Sequence, residues 1–291
     1  MKIGLQISNF TWPAGPSKIA TTLGNIAQAA DGAGFDSLWV MDHFFQIAAA
    51  GPAENDMLEG YSTLTYLAGL TKKVKLGTLA TGVIYRYPGI LVKTVTTLDV
   101  LSQGRAWFCI GAGWFEREAK GLDVPFPPIK ERFEMLEEAL LIAKQMWSPN
   151  NGAFQGKHYN LAETLCSPTA LSRPHPPIMV AGGGEKKTLR LVAQYGDACN
   201  IYGTPDVIKS KLAILKKHCD AVGRDYATIE TSTLSVAHLA PGKMTAKDVV
   251  AQCKAFADMG IQHVIFSLPN AQDITPFETF GREIIPAVAG F

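Results

Sequence analysis

The sequence predicts an α/β fold, a (β/α)8 TIM barrel, on three observations. Short apolar runs rich in Val, Ile and Leu alternate with longer segments of helical period, eight such pairs can be counted, and the chain has 291 residues. A barrel of eight strand-helix units occupies about 250 residues, so this length leaves room for a modest insertion. Two smaller domains would also suit the length. No linker, charge block or low-complexity tract divides the chain, however, and the expectation is one barrel domain over residues 1–291.

The units run in order from the N-terminus. KIGLQI from Lys2 precedes a helix that starts at Ser17 after Pro16 and stops at Gly34; SLWVM from Ser37 forms the second strand. VKLGTLAT from Val74 leads to a helix with Pro88 at its first position and a stop at Gly104. RAWFCIG from Arg105 precedes the helix from Lys130 onward, in which Phe133, Leu136, Leu140, Ala143 and Met146 fall along one side. An insertion rich in Gly, Pro, Asn and Ser, from Pro149 to Pro176, separates helix 4 from strand 5. PIMVAG from Pro177, DACNIY from Asp197, IETSTLSV from Ile229 and HVIFSL from His263 complete the strands. Their helices start at Glu185, at Pro205 after Thr204, at Thr245 and at Pro276 after Thr275, with stops at Gly223 and Gly260.

Composition narrows the function. Lys and Arg number 27 against 26 Asp and Glu, a net charge of +1, and 47% of the residues are hydrophobic. That balance argues against nucleic-acid binding and against disorder. Five scattered cysteines, Cys109, Cys166, Cys199, Cys219 and Cys253, contain no CxxC pair and read as reduced thiols. Without an apolar leader or a membrane-length apolar run, the chain is expected in the cytoplasm.

In a barrel, catalytic groups lie where strands end. Asp42 and His43, in MDHFF after strand 2, sit at that rim, where a histidine exchanges protons near neutral pH. Of the other histidines only His238 shares the rim; His158 and His175 lie in the insertion, His218 on a helix, and His263 at the opposite end. No HxH pair follows strand 1 and no lysine lies inside the rim, so metal-dependent hydrolysis and Schiff-base chemistry are disfavoured and no metal ligand is assigned. Gly182, Gly183 and Gly184 follow a strand and open a helix beside Lys186 and Lys187, which suits an anion such as phosphate; a tight turn with surface lysines is the plain structural reading. Thr81, Gly82 and Val83 end the third strand before Tyr85, Arg86 and Tyr87. Gly111 and Gly113 permit close backbone approach, and Trp114 offers a flat apolar surface, but the third glycine of a dinucleotide fingerprint is missing. Glu116 and Glu118 read as the acidic first turn of a helix.

SLWVMDHFF, LGTLATGV, GAGWFERE with FPPIKERFEMLEEAL, and PPIMVAGGGEKKTLRLVAQYGDACN, in this order, resemble the luciferase-like superfamily, specifically its branch of oxidoreductases that use the deazaflavin coenzyme F420. The resemblance implies a barrel, commonly a homodimer, with the coenzyme across the C-terminal strand ends. It places Asp42 and His43 beside the deazaflavin ring and Thr81, Gly82 and Val83 in a bulge behind it, with a non-prolyl cis peptide between Gly82 and Val83. It assigns Gly113 and Trp114 to a loop along the coenzyme and Gly182, Gly183 and Gly184 to its phosphate, and the phosphodiester and glutamates of the coenzyme tail make Lys186, Lys187 and Arg86 candidate partners. Family members acting on sugar phosphates carry a glutamate where Trp114 stands here, so a flatter or more apolar substrate is implied. The resulting expectation is hydride transfer to or from a C=C, C=N or C=O bond or an alcohol, with His43 exchanging the proton. The rivals are an FMN-dependent monooxygenase of the same superfamily and a non-catalytic coenzyme-binding partner subunit.

Overall fold

A computed structural model describes residues 1–291, and in it the eight expected apolar runs form parallel strands around one barrel. They are β1 (Lys2–Ile7), β2 (Ser37–Val40), β3 (Lys75–Thr78), β4 (Phe108–Gly111), β5 (Ile178–Ala181), β6 (Ala198–Asn200), β7 (Glu230–Val236) and β8 (His263–Ser267). β1 lies between β2 and β8, with Leu5 opposite Leu38 on one side and Phe266 on the other. The ring closes between β3 and β4. Leu76 NH donates to Arg105 O and Trp107 NH to Leu76 O, both at 2.8 Å, and farther along Thr81–Gly82 pairs with Ile110 and Gly111. Strands buried on both faces read as unbroken apolar runs, which is why SLWV and FCIG are buried throughout.

Two packed layers follow from that geometry. Inside the barrel, Trp39 meets Trp107 edge-on at 5.7 Å, with Cys109, Met179, Ala198 and Ile265 around them. Gly77 makes this possible, because a Cβ there would stand 2.6 Å from the Trp39 ring. Between barrel and helices lies a larger apolar layer that includes Leu136, Leu140, Ala143 and Met146 of helix Ile129–Met146. Phe133, predicted on the same stripe, is half-buried.

The helix punctuation largely follows the chain. Gly34 and Gly223 close their helices in the left-handed region, and Thr245 forms a capping box with Asp248. Three boundaries differ. The third predicted strand stops at Thr78, and Thr81–Gly82 is a separate short strand. The helix expected at Glu185 begins at Thr188, so the glycine loop runs through Lys187. Beyond Thr275–Thr279 the last helix widens through Phe280–Ile284 before Ile285–Val288. Helix Gly60–Leu70 follows β2, and a short helix, Glu116–Gly121, follows β4.

The insertion folds over the outside of the barrel. Its hairpin, Phe154–Gln155 against Asn160–Leu161, is clasped by Glu138, whose carboxylate accepts from the backbone of Lys157, His158 and Tyr159. Cis peptides precede Pro168 and Pro174 in this segment. No helix of the structure is long and apolar enough to cross a membrane.

Candidate functional site at the barrel rim

Beyond Val40, β2 delivers Asp42 and His43 to the rim, where the two side chains face different surroundings. Asp42 is 1% exposed and gripped by Arg86, whose Nη1 lies 2.7 Å from Oδ2 and Nη2 2.9 Å from Oδ1. Arg86 also donates to Glu59, the N-cap of helix Gly60–Leu70, and lies over the Tyr61 ring at 4.9 Å. Burial pushes the Asp42 carboxyl up while Arg86 pulls it back. Burial also works against the Arg86 charge, but Asp42 and Glu59 more than offset it and hold the guanidinium protonated. The arginine expected along a coenzyme tail is thus turned inward and neutralised.

His43 is the group left facing the rim. Its Nδ1 lies 3.0 Å from Glu118 Oε1, its ring meets Trp114 and Phe115 edge-on at 5.4 and 5.6 Å, and Nε2 makes no hydrogen bond to protein. Glu118 is fully buried. It accepts from Tyr85 OH, from Phe44 NH and, at 2.8 Å, from Phe45 NH. Burial opposes its ionisation, yet the His43, Tyr85 and Phe45 donors hold the carboxyl below the usual range. The sequence reading placed Glu118 with Glu116 in an ordinary helical first turn. Only the tertiary fold separates them, turning Glu118 inward and leaving Glu116 exposed.

The bulge after β3 is displaced from its predicted place. The non-prolyl cis peptide joins Leu79 to Ala80 and not Gly82 to Val83. Thr81 and Gly82 are already engaged in the ladder with β4, and Val83 NH donates to Gly111 O at 3.0 Å, so the irregular backbone falls earlier, where β3 has ended. Thr81 is buried, its hydroxyl 2.6 Å from Thr78 Oγ1 and 2.7 Å from Tyr61 OH. Val83 is buried, and a Cβ on Gly82 would press on the Tyr85 ring at 2.7 Å. Half-buried Leu79 and Ala80 instead cap the barrel interior, and neither was singled out in the sequence.

On the next loop Gly113 takes φ 74°, and Trp114, 61% exposed, stacks on Phe115 at 5.1 Å. Behind them Arg132 donates to Gly113 O and lies 4.0 Å over the Phe126 ring. This arginine is only 8% exposed, makes no salt bridge, with Glu116 its acidic neighbour, and leaves Nε without a hydrogen bond. A buried guanidinium with an unmet N–H is costly in a folded chain, and it marks a place where an anion would be welcome.

Across the groove, Gly182 takes φ 110°. A Cβ on Gly183 would collide with Lys211 Nζ from helix Pro205–Val222, and one on Gly184 would lie 2.8 Å from Thr188 Oγ1. The bare loop therefore exposes its backbone to an ammonium and a hydroxyl. Lys186 is exposed, whereas Lys187 places its ammonium 5.2 Å from the Phe133 ring. Lys211 and Arg132 were missed because both sit on helices remote in sequence from the glycines. His238 makes no side-chain hydrogen bond and is not joined to His43 or Glu118.

The strand ends thus carry a rim histidine, a bare glycine loop and a buried arginine. The sequence profile of the luciferase-like monooxygenases matches residues 1–280, and the chain belongs to that family. It is 28% identical to an F420-dependent glucose-6-phosphate dehydrogenase of Kineococcus radiotolerans, with 93% of each chain covered. It is 31% identical to an F420-dependent hydroxymycolic acid dehydrogenase of Mycobacterium tuberculosis over 70% of this chain and 55% of that one. Its fold superposes with TM-score 0.81 on an F420-dependent secondary alcohol dehydrogenase in complex with an F420–acetone adduct, at 22% identity over 99% and 98% of the two chains.

Proposed function

We propose that the chain is a coenzyme F420-dependent oxidoreductase that transfers a hydride between the deazaflavin and a small organic substrate, reducing C=C, C=N or C=O or oxidising an alcohol. The observation that carries this reading is His43, tied at Nδ1 and open at Nε2, on the rim of a barrel whose relatives are named for that coenzyme. The residues fit such a group. Gly182 to Gly184, Thr188 and Lys211 offer backbone, hydroxyl and ammonium to a phosphodiester, and Arg132 supplies a guanidinium with an unmet N–H. Leu79 and Ala80, with Thr81, Gly82 and Val83, would hold the ring system, and Gly113 and Trp114 would line the same site. Lys186 is left free to meet the tail.

When bound, the deazaflavin supplies a carbon that gives or accepts hydride. His43 holds or releases a proton at Nε2, matched to the substrate oxygen or nitrogen. Asp42 takes no proton in this scheme: with Arg86 and Glu59 it anchors the β2 loop that presents His43. Trp114 and Phe115 shield the imidazole from water and favour a flat or apolar substrate, and Arg86, already neutralised, offers no charge to a sugar phosphate.

The proposed assembly is a homodimer. Helices Gly60–Leu70 and Pro88–Leu101 pack side by side, and their exposed positions Ser62, Thr65, Tyr66, Ile90, Thr97 and Leu101 carry no charge, while Lys93 between them is half-buried and donates to Ser167 O. A face of this kind suits a second copy of the chain. All five cysteines are buried and unpaired, which suits the reducing cytoplasm.

The test is His43→Ala. Coenzyme affinity, followed by deazaflavin fluorescence, is expected to stay within a few-fold, while turnover of a short secondary alcohol or its ketone falls by about 10² to 10⁴. Full turnover by the variant would remove His43 from the chemistry.

A further inference from the structure

Every acceptor position on the Glu118 carboxylate is filled. Oε1 takes the Tyr85 hydroxyl and His43 Nδ1; Oε2 takes the Phe44 and Phe45 amides. These donors come from the loops that follow β2 and β3, whereas Glu118 comes from the segment after β4. A carboxylate receiving four donors has no room for a proton of its own, because protonation would set one donor against another. The hydrogen shared with His43 must therefore sit on Nδ1. That leaves Nε2 as the one ring position able to exchange a proton.

We infer that Glu118 is a positioning residue that fixes His43 in its Nδ1–H tautomer and supplies the counter-charge when the imidazole is protonated, with Tyr85 limiting how strongly the carboxylate attracts that proton. This rests on the reading of His43 as the proton-exchanging group. The groups around the ring support the assignment. Trp114 and Phe115 present only aromatic edges and faces, and Asp42, the neighbour in sequence, has its charge taken up by Arg86, itself shared with Glu59. Glu118 is thus the one charge in direct contact with the imidazole. Its two amide bonds also brace the turn at Phe44 and Phe45 next to His43. Tyr85, raised in pKa by burial and by Glu118 itself, stays a donor throughout the working range.

Nitrogen-15 NMR of the histidine-labelled full chain, without coenzyme, reads tautomer and titration directly. In the unmodified protein His43 is expected with a protonated Nδ1 and a pyridine-like Nε2. Glu118→Gln is expected to lose that preference and to lower the His43 pKa, since the counter-charge is gone. Tyr85→Phe is expected to shift it in the opposite direction, because one donor no longer competes for Oε1, and Glu118→Asp should retain the carboxylate effect. Deazaflavin affinity in Tyr85→Phe and Glu118→Asp should remain within a few-fold. A protonated Nε2 in the neutral unmodified ring, or an unchanged tautomer and pKa in Glu118→Gln, overturns the inference. If Glu118→Gln does not fold, a Tyr85→Phe variant with no upward shift overturns it equally. Full turnover by His43→Ala would overturn the functional reading instead, with the tautomer result unaffected.

Discussion

Adjacent residues at the rim have separate surroundings. Asp42 and His43 are neighbours in sequence, but one is sealed against an arginine and the other faces the rim, because the chain end beyond β2 turns one side chain down and the next across. The sequence made both visible as candidates through their place after an apolar strand. Their division of labour was not visible, since it depends on Arg86 from the β3 loop and Glu118 from the segment after β4. The same holds for Arg132 and Lys211, whose charge acquires meaning only beside Gly113 and Gly183. At this scale Arg86→Ala is the sharpest test of the anchor. It leaves Asp42 buried without a counter-charge and is expected to destabilise the fold by roughly 3–5 kcal/mol, measured by denaturant unfolding.

Among the elements, the eight strands were legible because a parallel barrel buries both faces of each strand and leaves a plain apolar run. Their ends were less so. VKLGTLAT reads as one strand, yet the closure of the ring at Leu76 and Ala106 directs it into two pieces, and the bulge follows that break. Helix Gly60–Leu70 lacks an aspartate, serine or threonine cap, and Glu59 caps it while also holding Arg86. At the opposite end of the barrel, β7, β8 and β1 are joined by Glu230, which contacts His263 Nδ1 at 2.8 Å and Lys2 Nζ at 2.7 Å. Burial opposes the Glu230 charge, but His263 and Lys2 bring its carboxyl down to about 2. Because its unfolded value is about 4.3, the group stabilises the fold above that pH by roughly 3 kcal/mol, and the contribution disappears as pH falls toward 2. Unfolding titrations from pH 6 to about pH 2 should show this loss, and Glu230→Gln should be less stable at pH 6 with a flatter acid limb.

As a whole molecule, the chain has a net charge of only +1, so on the proposed function its affinity for a charged coenzyme is expected to be local, at Gly182 to Gly184, Lys211 and Arg132. The exposed uncharged positions of helices Gly60–Leu70 and Pro88–Leu101 predict a particle of twice the chain mass. Light scattering on the purified protein checks this, and Ile90→Lys with Leu101→Lys should return the monomer. The central claim is the identity of the coenzyme, and its most direct measurement is a fluorescence titration of the purified protein with coenzyme F420 and, in parallel, with FMN. Saturable binding of the deazaflavin, weakened about tenfold by Lys211→Ala and more so at low salt, with little or no binding of FMN, is the predicted result. Tight binding of FMN with none of the deazaflavin would contradict it.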